Sequence, residues 1–149
     1  MEIAWHVKPF GELTIRELYG ILRLRSGVFV VEQECVYQDM DGKDEKALHV
    51  FGVYGGTVIA YSRLFRAGDY FQEASIGRVV VHPEYRRRKI ATVLMRKSID
   101  TINNSWNEPV IRISAQTYLS GFYASLGFKP VSVEYMEDGI PHRSMIWER

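Results

Sequence analysis

The stretch that decides the fold is ASIGRVVVHPEYRRRKIATVLM, from Ala74 to Met95. Its beginning, ASIGRVVV (74–81), ends in three valines and predicts a buried strand. His82-Pro83 ends that strand, because proline has no N–H to offer a neighbouring strand. Apolar residues at helical spacing then predict a helix from about Lys89 to Asn103. PVIRISAQ (109–116) predicts the next strand, so this part of the chain should form a β-α-β unit with two parallel strands.

The flanking sequence predicts antiparallel strands before this unit and a hairpin after it. Thr14 with Glu17 three residues later is a capping-box signature, so we expect a helix from about Thr14 to Phe29. Gly55-Gly56 separates two β-rich runs, which is typical of a hairpin turn. The order of elements predicts a mixed α/β fold, with a mostly antiparallel central sheet of about seven strands and one parallel pair. The remaining predicted elements are the strands IAWHV (3–7), ALHVFGVY (47–54), VIAYSRLFRA (58–67), PVSVEYM (130–136) and RSMIWER (143–149), and a short helix in LSGFYASLGF (119–128).

The composition limits what the chain can do. Its 149 residues, 46% hydrophobic and 25% charged, fit one domain over residues 1–149 with its own core. A net charge of +1, without a basic face interleaved with aromatic residues, argues against nucleic-acid binding. No apolar run reaches the roughly 18 residues of a membrane span. The single cysteine, Cys35, excludes an internal disulfide and favours a reducing compartment. We therefore expect a cytoplasmic protein that does not contact membranes.

Four consecutive cations, Arg86 to Lys89, lie where the second predicted helix begins. A helix N-terminus already has unpaired N–H groups and partial positive charge, so an exposed cation there costs about 0.3–1 kcal/mol. A bound anion would relieve that cost, and arginine suits phosphate oxygens. We interpret Arg86–Ala91 as a cradle for a diphosphate; on spacing alone, a solvated basic turn is the alternative. The glycine patterns of Walker loops and dinucleotide-binding turns are absent.

Four blocks of the sequence, in order, resemble the GNAT superfamily of acyl-CoA-dependent N-acyltransferases. In VVVHPEYRRRKIATVLM (79–95), residues 86–91 match the acyl-CoA signature R/Q-x-x-G-x-G/A. The other blocks are similar more specifically to the ElaA-like branch: LRLRSGVFVVEQECVYQDMDGKD (22–44), ISAQTYLSGFYASLGF (113–128) and EDGIPHRSM (137–145). Lys89 stands where the family pattern has glycine. We expect helical backbone dihedrals at this position, which lysine adopts at little cost.

The resemblance implies where acetyl-CoA would lie. It would occupy a V-shaped gap between splayed strands, IGRVVV (76–81) and VIRISA (110–115), with its pantetheine arm along the edge of the first. Tyr123 matches the tyrosine that protonates the departing thiolate in many GNAT enzymes, which a phenol can do. The residues implied in cofactor binding are Val79, Val80, Val81, Arg86, Arg87, Arg88, Lys89, Ile90, Ala91 and Gln116, with Ser120 as a further candidate.

An acceptor amine must lose a proton before it attacks a thioester, and the sequence leaves the base open. Some relatives have a glutamate on the strand IGRVVV (76–81), but this chain has Gly77 and Arg78 there. The candidates are therefore Glu34, Glu32 and His49, or a relay of ordered water.

The acidic stretch EQECVYQDMDGKDE (32–45) has six acids and one lysine, so we expect it to attract a cationic amine. It lacks the spacing of a calcium loop, and we expect no metal. The prediction is an acetyl-CoA-dependent N-acetyltransferase that acts on a small-molecule or peptide amine by direct attack in a ternary complex. A non-catalytic acyl-CoA-binding or sensing module is the alternative. The resemblance also allows a homodimer through the C-terminal strands.

Overall fold

The computed structural model describes all 149 residues, which form eight strands and three α-helices. The helices are α1 (Ile15–Arg25), which continues as a π-helical segment (Ser26–Glu32), α2 (Ile90–Ser105) and α3 (Ser120–Ser125). The strands are β1 (Ala4–Pro9), β2 (Leu48–Tyr54), β3 (Thr57–Phe65), β4 (Ala74–Val81), β5 (Val110–Gln116), β6 (Lys129–Pro130), β7 (Tyr135–Glu137) and β8 (Ile140–Glu148).

All strands belong to one sheet, in the order β1-β2-β3-β4-β5-β8-β6, with β7 also paired to β8. Every pair is antiparallel except β4 with β5, which is parallel and connected through α2. The predicted fold class, a mostly antiparallel mixed sheet with one β-α-β unit, is confirmed, with eight strands instead of about seven.

The extra strand comes from the C-terminal hairpin, where the sequence prediction was wrong in detail. We expected one strand over 130–136, but the chain forms two short strands, β6 and β7, on either side of a break. The alternating residues Val131 and Val133 are 52% and 84% exposed, so no buried face holds this segment in regular pairing. β8 begins at Ile140, three residues before the predicted start at Arg143.

The first helix begins as predicted at a capping box. The Glu17 N–H donates to Thr14 Oγ1 (3.1 Å), and the Thr14 N–H donates to Glu17 Oε1 (2.9 Å). These two hydrogen bonds satisfy donors that the helix itself leaves unpaired. The helical path extends to Glu32, three residues past the predicted end.

Apolar cores lie on both faces of the sheet. Neighbouring residues of β2 point to opposite faces, so Val50 joins the core under α2 and Phe51 joins the core under α1. β3 is buried over its whole length after Thr57, because both of its faces are covered. The two helices therefore fix β4 from both sides, and β4 forms one wall of the cleft described below.

The acidic stretch is held against the sheet by three arginines. Arg25 and Arg63 are almost fully buried, at 0% and 1% exposed. Their ion pairs, with those of Arg78, are Arg25–Asp39 (2.9 Å), Arg25–Asp44 (2.8 Å), Arg63–Asp41 (2.8 Å), Arg63–Asp44 (3.0 Å) and Arg78–Asp39 (2.8 Å). Three cations and three anions thus form one cluster, which we call the Arg–Asp cluster.

Candidate active site

A cleft opens where β4 and β5 separate. The two strands pair only at Ala74 with Ile111 and at Ser75 with Arg112, and no strand pairs with this edge of β4 beyond Ser75. The predicted splaying is therefore confirmed. The resulting cleft has a volume of about 620 Å³ and lies between β4, the start of α2, and the segment from the end of β5 through α3. Beyond Ser75, this edge of β4 therefore has backbone groups without a strand partner.

The basic turn forms one end of this cleft. Arg86, Arg87 and Lys89 line it, followed by the first helical residues Ile90, Ala91 and Thr92. Lys89 is the N-cap of α2 and provides no side-chain acceptor, so the first N–H groups of the helix have no partner there. Arg88 does not line the cleft; its guanidinium lies 5.5 Å from the centre of the Tyr85 ring. The turn thus combines unpaired N–H groups with cations, which together suit an oxyanion.

Arg86 is occupied by another part of the chain. Its guanidinium donates to both carboxylate oxygens of Glu32, at 2.6 and 2.7 Å, and its Nε donates to the Val81 carbonyl at 3.2 Å. The hydrogen bonds from Arg86 lower the pKa of Glu32, so this carboxylate is a poor proton acceptor. A ligand phosphate would have to compete with Glu32 for Arg86.

The expected backbone at Lys89 was wrong. Lys89 has φ 61° and ψ 18°, which is the left-handed region, and Arg87 has φ 64°. Side chains with a Cβ adopt this region at a cost, whereas glycine does so freely. The glycine of the family pattern therefore has a conformational reason, and Lys89 adds a cation at the expense of backbone strain.

The three valines of β4 occupy different environments. All three line the cleft, but Val80 is only 4% exposed and packs in the core under α1. Val79 and Val81 are half-buried and pack at the margin of the core under α2. The Val81 carbonyl already accepts a hydrogen bond from Arg86, which leaves Val79 as the better candidate for a backbone contact.

Tyr123 belongs to the wall that the cleft shares with a second, smaller cavity. Its side chain is 7% exposed, packs against Phe122 and Phe128, and lines the cleft, and its hydroxyl makes no hydrogen bond within the chain. Burial raises the pKa of Tyr123 above its ordinary value, so the phenol remains protonated and can donate.

Of the two supporting candidates, only one lines the cleft. Gln116 does, and its Oε1 accepts a hydrogen bond from Gln33 Nε2 at 3.1 Å. Ser120 does not; its hydroxyl donates to the Thr117 carbonyl at 2.7 Å, at the start of α3. Gln33 is a lining residue that the sequence gave no reason to select.

A second, smaller cavity of about 100 Å³ adjoins the first. The two share a wall that includes Val79, Gln116 and Tyr123. Its own lining is more polar and includes Cys35, Tyr37, Ser114, Glu137, Asp138 and His142. Residues 137–142 lie between the two predicted C-terminal strands, and the sequence provided no reason to attach chemistry to Glu137 or His142. The block EDGIPHRSM (137–145), quoted for the resemblance, was the one signal that could have indicated them.

None of the three predicted base candidates is available to accept a proton in either cavity. Glu34 is exposed and lines neither cavity. His49 is 1% exposed, with Nδ1 hydrogen-bonded to the Tyr61 hydroxyl (2.6 Å) and Nε2 to the Asp44 carbonyl (2.9 Å). Burial lowers the pKa of His49, so the ring is neutral, and neither nitrogen is free. Glu32 lines the larger cavity but is paired with Arg86.

The interpretation of the acidic stretch as an attractor for cations also fails. Asp39, Asp41 and Asp44 belong to the Arg–Asp cluster, where arginines already neutralise them. The stretch instead helps to position Tyr37, which hydrogen-bonds Asp39 and lines the smaller cavity.

No group of three or more histidine, cysteine, aspartate or glutamate side chains is arranged to hold a metal ion. None of the helices has both the length and the apolar character that crossing a bilayer would require.

Comparison with known proteins agrees with this geometry. Residues 25–149 match the family model described as an acetyltransferase (GNAT) domain. The chain is 40% identical to the protein ElaA of Escherichia coli K12 over 98% of this chain and 97% of that protein. The crystal structure of E. coli ElaA superposes with a TM-score of 0.92, at 39% identity, over 99% of this chain and all of that one. An acyl-CoA N-acyltransferase from Pseudomonas aeruginosa superposes with a TM-score of 0.93, at 35% identity, over 98% and 99% of the two chains. The chain therefore belongs to the GNAT acetyltransferase family, in its ElaA-like branch.

Proposed function

We propose that the protein transfers an acetyl group from acetyl-CoA to a primary amine, by direct attack within a ternary complex. Membership of the GNAT family supports acyl transfer, and the similar Pseudomonas aeruginosa structure is described as an acyl-CoA N-acyltransferase. The acceptor would be a small molecule or an exposed amine of a peptide. The single cysteine fits a reducing compartment, and we include a cytoplasmic location in the proposal.

The observation that carries this proposal is the combination of three features in one cleft. A cationic helix start, an unpaired strand edge and a tyrosine hydroxyl without a partner all line it. These features suit, respectively, the diphosphate, the amide-containing arm and the thioester of acetyl-CoA. The residues present therefore fit the cosubstrate along its length.

Each part of the chain has a defined task in this proposal. Arg87, Lys89 and the first N–H groups of α2 bind the diphosphate oxygens. The free edge of β4 near Val79 hydrogen-bonds the pantetheine amides as an added strand would. Tyr123 donates its proton to the sulfur as negative charge develops there, because burial keeps the phenol protonated.

The test is an assay of CoA release from acetyl-CoA with a chemically diverse panel of amines. Tyr123→Phe should bind CoA about as tightly as the unchanged protein by calorimetry, while kcat falls about 10²-fold or more, as expected for a lost general acid. Tyr19→Phe, which changes an exposed tyrosine of α1 far from the cleft, serves as the matched control. Full activity in Tyr123→Phe would remove this residue from the mechanism, and failure of every amine would remove the proposed transfer.

One observation favours the alternative of a non-catalytic acyl-CoA-binding module. Arg86 is already paired with Glu32, and Lys89 replaces the glycine of the family pattern with a strained backbone, so both features weaken the turn as a diphosphate site. Tight CoA binding without turnover on any amine of the panel would support a binding module instead of an enzyme.

A further inference from the structure

We propose that the smaller cavity receives the acceptor amine and that His142 removes its proton, with Glu137 as the residue that positions and stabilises the protonated ring. This inference rests on the proposed acetyl transfer and assigns the base that the sequence left open. It also defines the acceptor as an amine without a carboxylate on the carbon that bears the nitrogen.

The hydrogen bonds of His142 determine which of its nitrogens is basic. The ring is 6% exposed, and its Nδ1 lies 2.7 Å from the Ile140 carbonyl. A carbonyl oxygen only accepts, so Nδ1 must carry the hydrogen and Nε2 has the free lone pair. Nε2 lies 3.4 Å from Glu137 Oε2. The neutral ring is thus held in the tautomer that a base requires, next to a carboxylate that stabilises its protonated form.

Glu137 is itself held in place. Its Oε1 accepts a hydrogen bond from Ser114 Oγ at 3.1 Å, and Ser114 Oγ lies 2.6 Å from the Tyr135 hydroxyl. Tyr135 also stacks on the His142 ring, with the ring centres 6.3 Å apart and the planes at 20°. Side chains of β5, β7 and β8 therefore converge on one carboxylate–imidazole pair at the cavity wall.

Three other polar side chains at this cavity, those of Arg78, Tyr37 and Cys35, are not available as a competing base. Arg78 is a cation, and its charge is balanced within the Arg–Asp cluster. Tyr37 has its pKa raised to about 12, mainly by burial, so it is protonated near neutral pH. The Cys35 thiol contacts the Asp138 carbonyl at 3.1 Å. The remaining titratable groups at the cavity are Glu137, Asp138 and Tyr123.

The charges at the cavity define the class of acceptor. Because the Arg–Asp cluster is internally balanced, the unbalanced charges of the lining are those of Glu137 and Asp138, which are both negative. An ammonium group is attracted to such a cavity, whereas a carboxylate beside the nitrogen is repelled. α-Amino acids are therefore disfavoured as α-amine acceptors relative to alkylamines of the same length.

The proposed reaction accounts for every proton and electron pair. His142 Nε2 accepts one proton from the ammonium of the acceptor, which leaves a neutral nitrogen with its lone pair. This nitrogen forms a bond to the thioester carbonyl carbon, and the carbon–sulfur bond breaks with its electron pair on sulfur. The sulfur takes the Tyr123 proton, and the second proton lost by the nitrogen restores Tyr123. The His142 proton passes to solvent, so each turnover yields an amide, a free thiol and one released proton.

The test compares His142→Gln and Glu137→Gln with the unchanged protein, using the best alkylamine of the panel. We expect kcat/KM to fall about 10²-fold or more in His142→Gln, with CoA affinity unchanged by calorimetry. The pH profile of kcat/KM for the unchanged protein should show the ionisation of the base, and this ionisation should be absent from His142→Gln. A purely structural role would lower the rate without removing that ionisation.

Glu137→Gln keeps the proposal testable if His142→Gln folds poorly, because the Glu137 side chain is 46% exposed. It should lower kcat/KM for the alkylamine with CoA affinity unchanged, since the imidazolium formed by proton transfer loses its carboxylate partner. His6→Gln, a half-buried histidine outside both cavities, is the matched control and should retain the full rate and profile.

The acceptor class is tested with a matched pair: n-butylamine, and norvaline, which is the same chain with a carboxylate on the amine carbon. We expect at least a tenfold higher kcat/KM for n-butylamine. Equal rates for the pair would overturn the acceptor assignment. Turnover with an unchanged pH profile in His142→Gln would overturn the base and leave the proposed function intact. No turnover by the unchanged protein would overturn both.

Discussion

Arg86 and Glu32 form an ion pair in the lining of the larger cleft, and their side chains are 40% and 41% exposed. Exposed pairs of this kind contribute about 0.2–1 kcal/mol. A phosphate that displaces Glu32 must break this ion pair, which reduces the free energy gained from binding Arg86 by only a modest amount. At this scale, the affinity for the proposed cosubstrate would depend on which anion Arg86 binds.

We predict that Glu32→Gln binds CoA up to about fivefold more tightly, because the amide no longer competes for the guanidinium. Titration calorimetry at low salt measures the change. Glu34→Gln is the matched control, since Glu34 is exposed, lines neither cavity and has no ion pair. Weaker binding in Glu32→Gln would mean that the carboxylate positions Arg86 for the ligand.

Lys89 supports a second prediction at this scale. Lys89→Gly should raise the free energy of unfolding by about 1 kcal/mol, because glycine adopts the left-handed region without strain. Urea denaturation measures this. Arg88→Gly removes a neighbouring cation at a position without positive φ and should not stabilise the protein. If the two glycine variants behave alike, strain at Lys89 is not significant.

Single residues were the level at which the sequence was least informative. The strand, turn and helix around Arg86 could be predicted, but the pairing of Arg86 with Glu32 joins positions 54 residues apart. The environment of His142 likewise depends on Ser114 of β5 and Glu137 of β7, which only the folded sheet brings together. A linear pattern does not contain such contacts.

Among the elements, the segment from Asp39 to Asp44 shows how irregular backbone can be fixed by charge. It has no strand pairing, yet Arg25, which is fully buried, holds it by side-chain hydrogen bonds to Asp39 and Asp44. Removing one partner of such a buried pair leaves the other charge uncompensated, which is strongly destabilising. Tyr37, two residues before the segment, hydrogen-bonds Asp39 and lines the smaller cavity, so the attachment of the segment also shapes that cavity.

The pH dependence of stability should report this attachment. Burial is the largest single effect on the pKa of Asp41 and would raise it. The hydrogen bonds from Arg63 and Lys43, with the charges of Arg63 and Arg78, together outweigh burial and lower this pKa well below its ordinary value of 3.8. A carboxylate with a lowered pKa in the folded state stabilises the protein above its unfolded pKa, and this contribution is lost as the pH falls toward the folded pKa. We predict nearly constant stability from pH 7 to about 5 from this group, and a decline below that.

Asp41→Asn should be less stable than the unchanged protein at pH 7 and should show a shallower decline between about pH 5 and 3. Urea unfolding across this range measures both effects. Asp100→Asn, an exposed carboxylate of α2 without an ion pair, should reproduce the unchanged curve. A parallel decline in Asp41→Asn would show that other carboxylates control acid unfolding.

Regular elements were largely predictable, because their periodicity is local. The capping box, the hairpin at Gly55-Gly56 and the β-α-β unit followed from patterns over a few residues. The acidic segment was misinterpreted because its partners, Arg63 and Arg78, follow it by 19 to 39 positions. The sequence suggested carboxylates exposed to solvent, whereas in the structure three of them are neutralised by arginines.

Across the whole molecule, the cleft combines contacts from both halves of the sheet with those of the helix that joins them. Val79 belongs to β4, Gln116 ends β5, and the basic turn opens α2. The proposed cosubstrate would bridge all three. Binding of the whole cosubstrate should therefore raise the free energy of unfolding more than binding of a cosubstrate fragment that contacts only the strands.

We predict that CoA at about 100 times its Kd raises the free energy of unfolding by about 2.7 kcal/mol, and that pantetheine at the same concentration raises it much less. The reason is that pantetheine leaves the cationic turn unfilled. Thermal and urea unfolding with each ligand measure the difference. Arg87→Gln should weaken the effect of CoA but not that of pantetheine, whereas Arg23→Gln, on the exposed face of α1, should change neither. Equal stabilisation by the two ligands would contradict diphosphate binding at this turn.

The short pairing between β4 and β5 has a consequence for how fast the protein is degraded. Only two residue pairs join the strands before they diverge, so each half of the sheet exposes backbone amides that a neighbour would normally protect. If acetyl-CoA fills that gap as proposed, it acts as a missing segment of the fold, and amide exchange and protease cleavage there should slow as its concentration rises. The abundance of the protein in a cell would then follow the supply of activated acetyl groups.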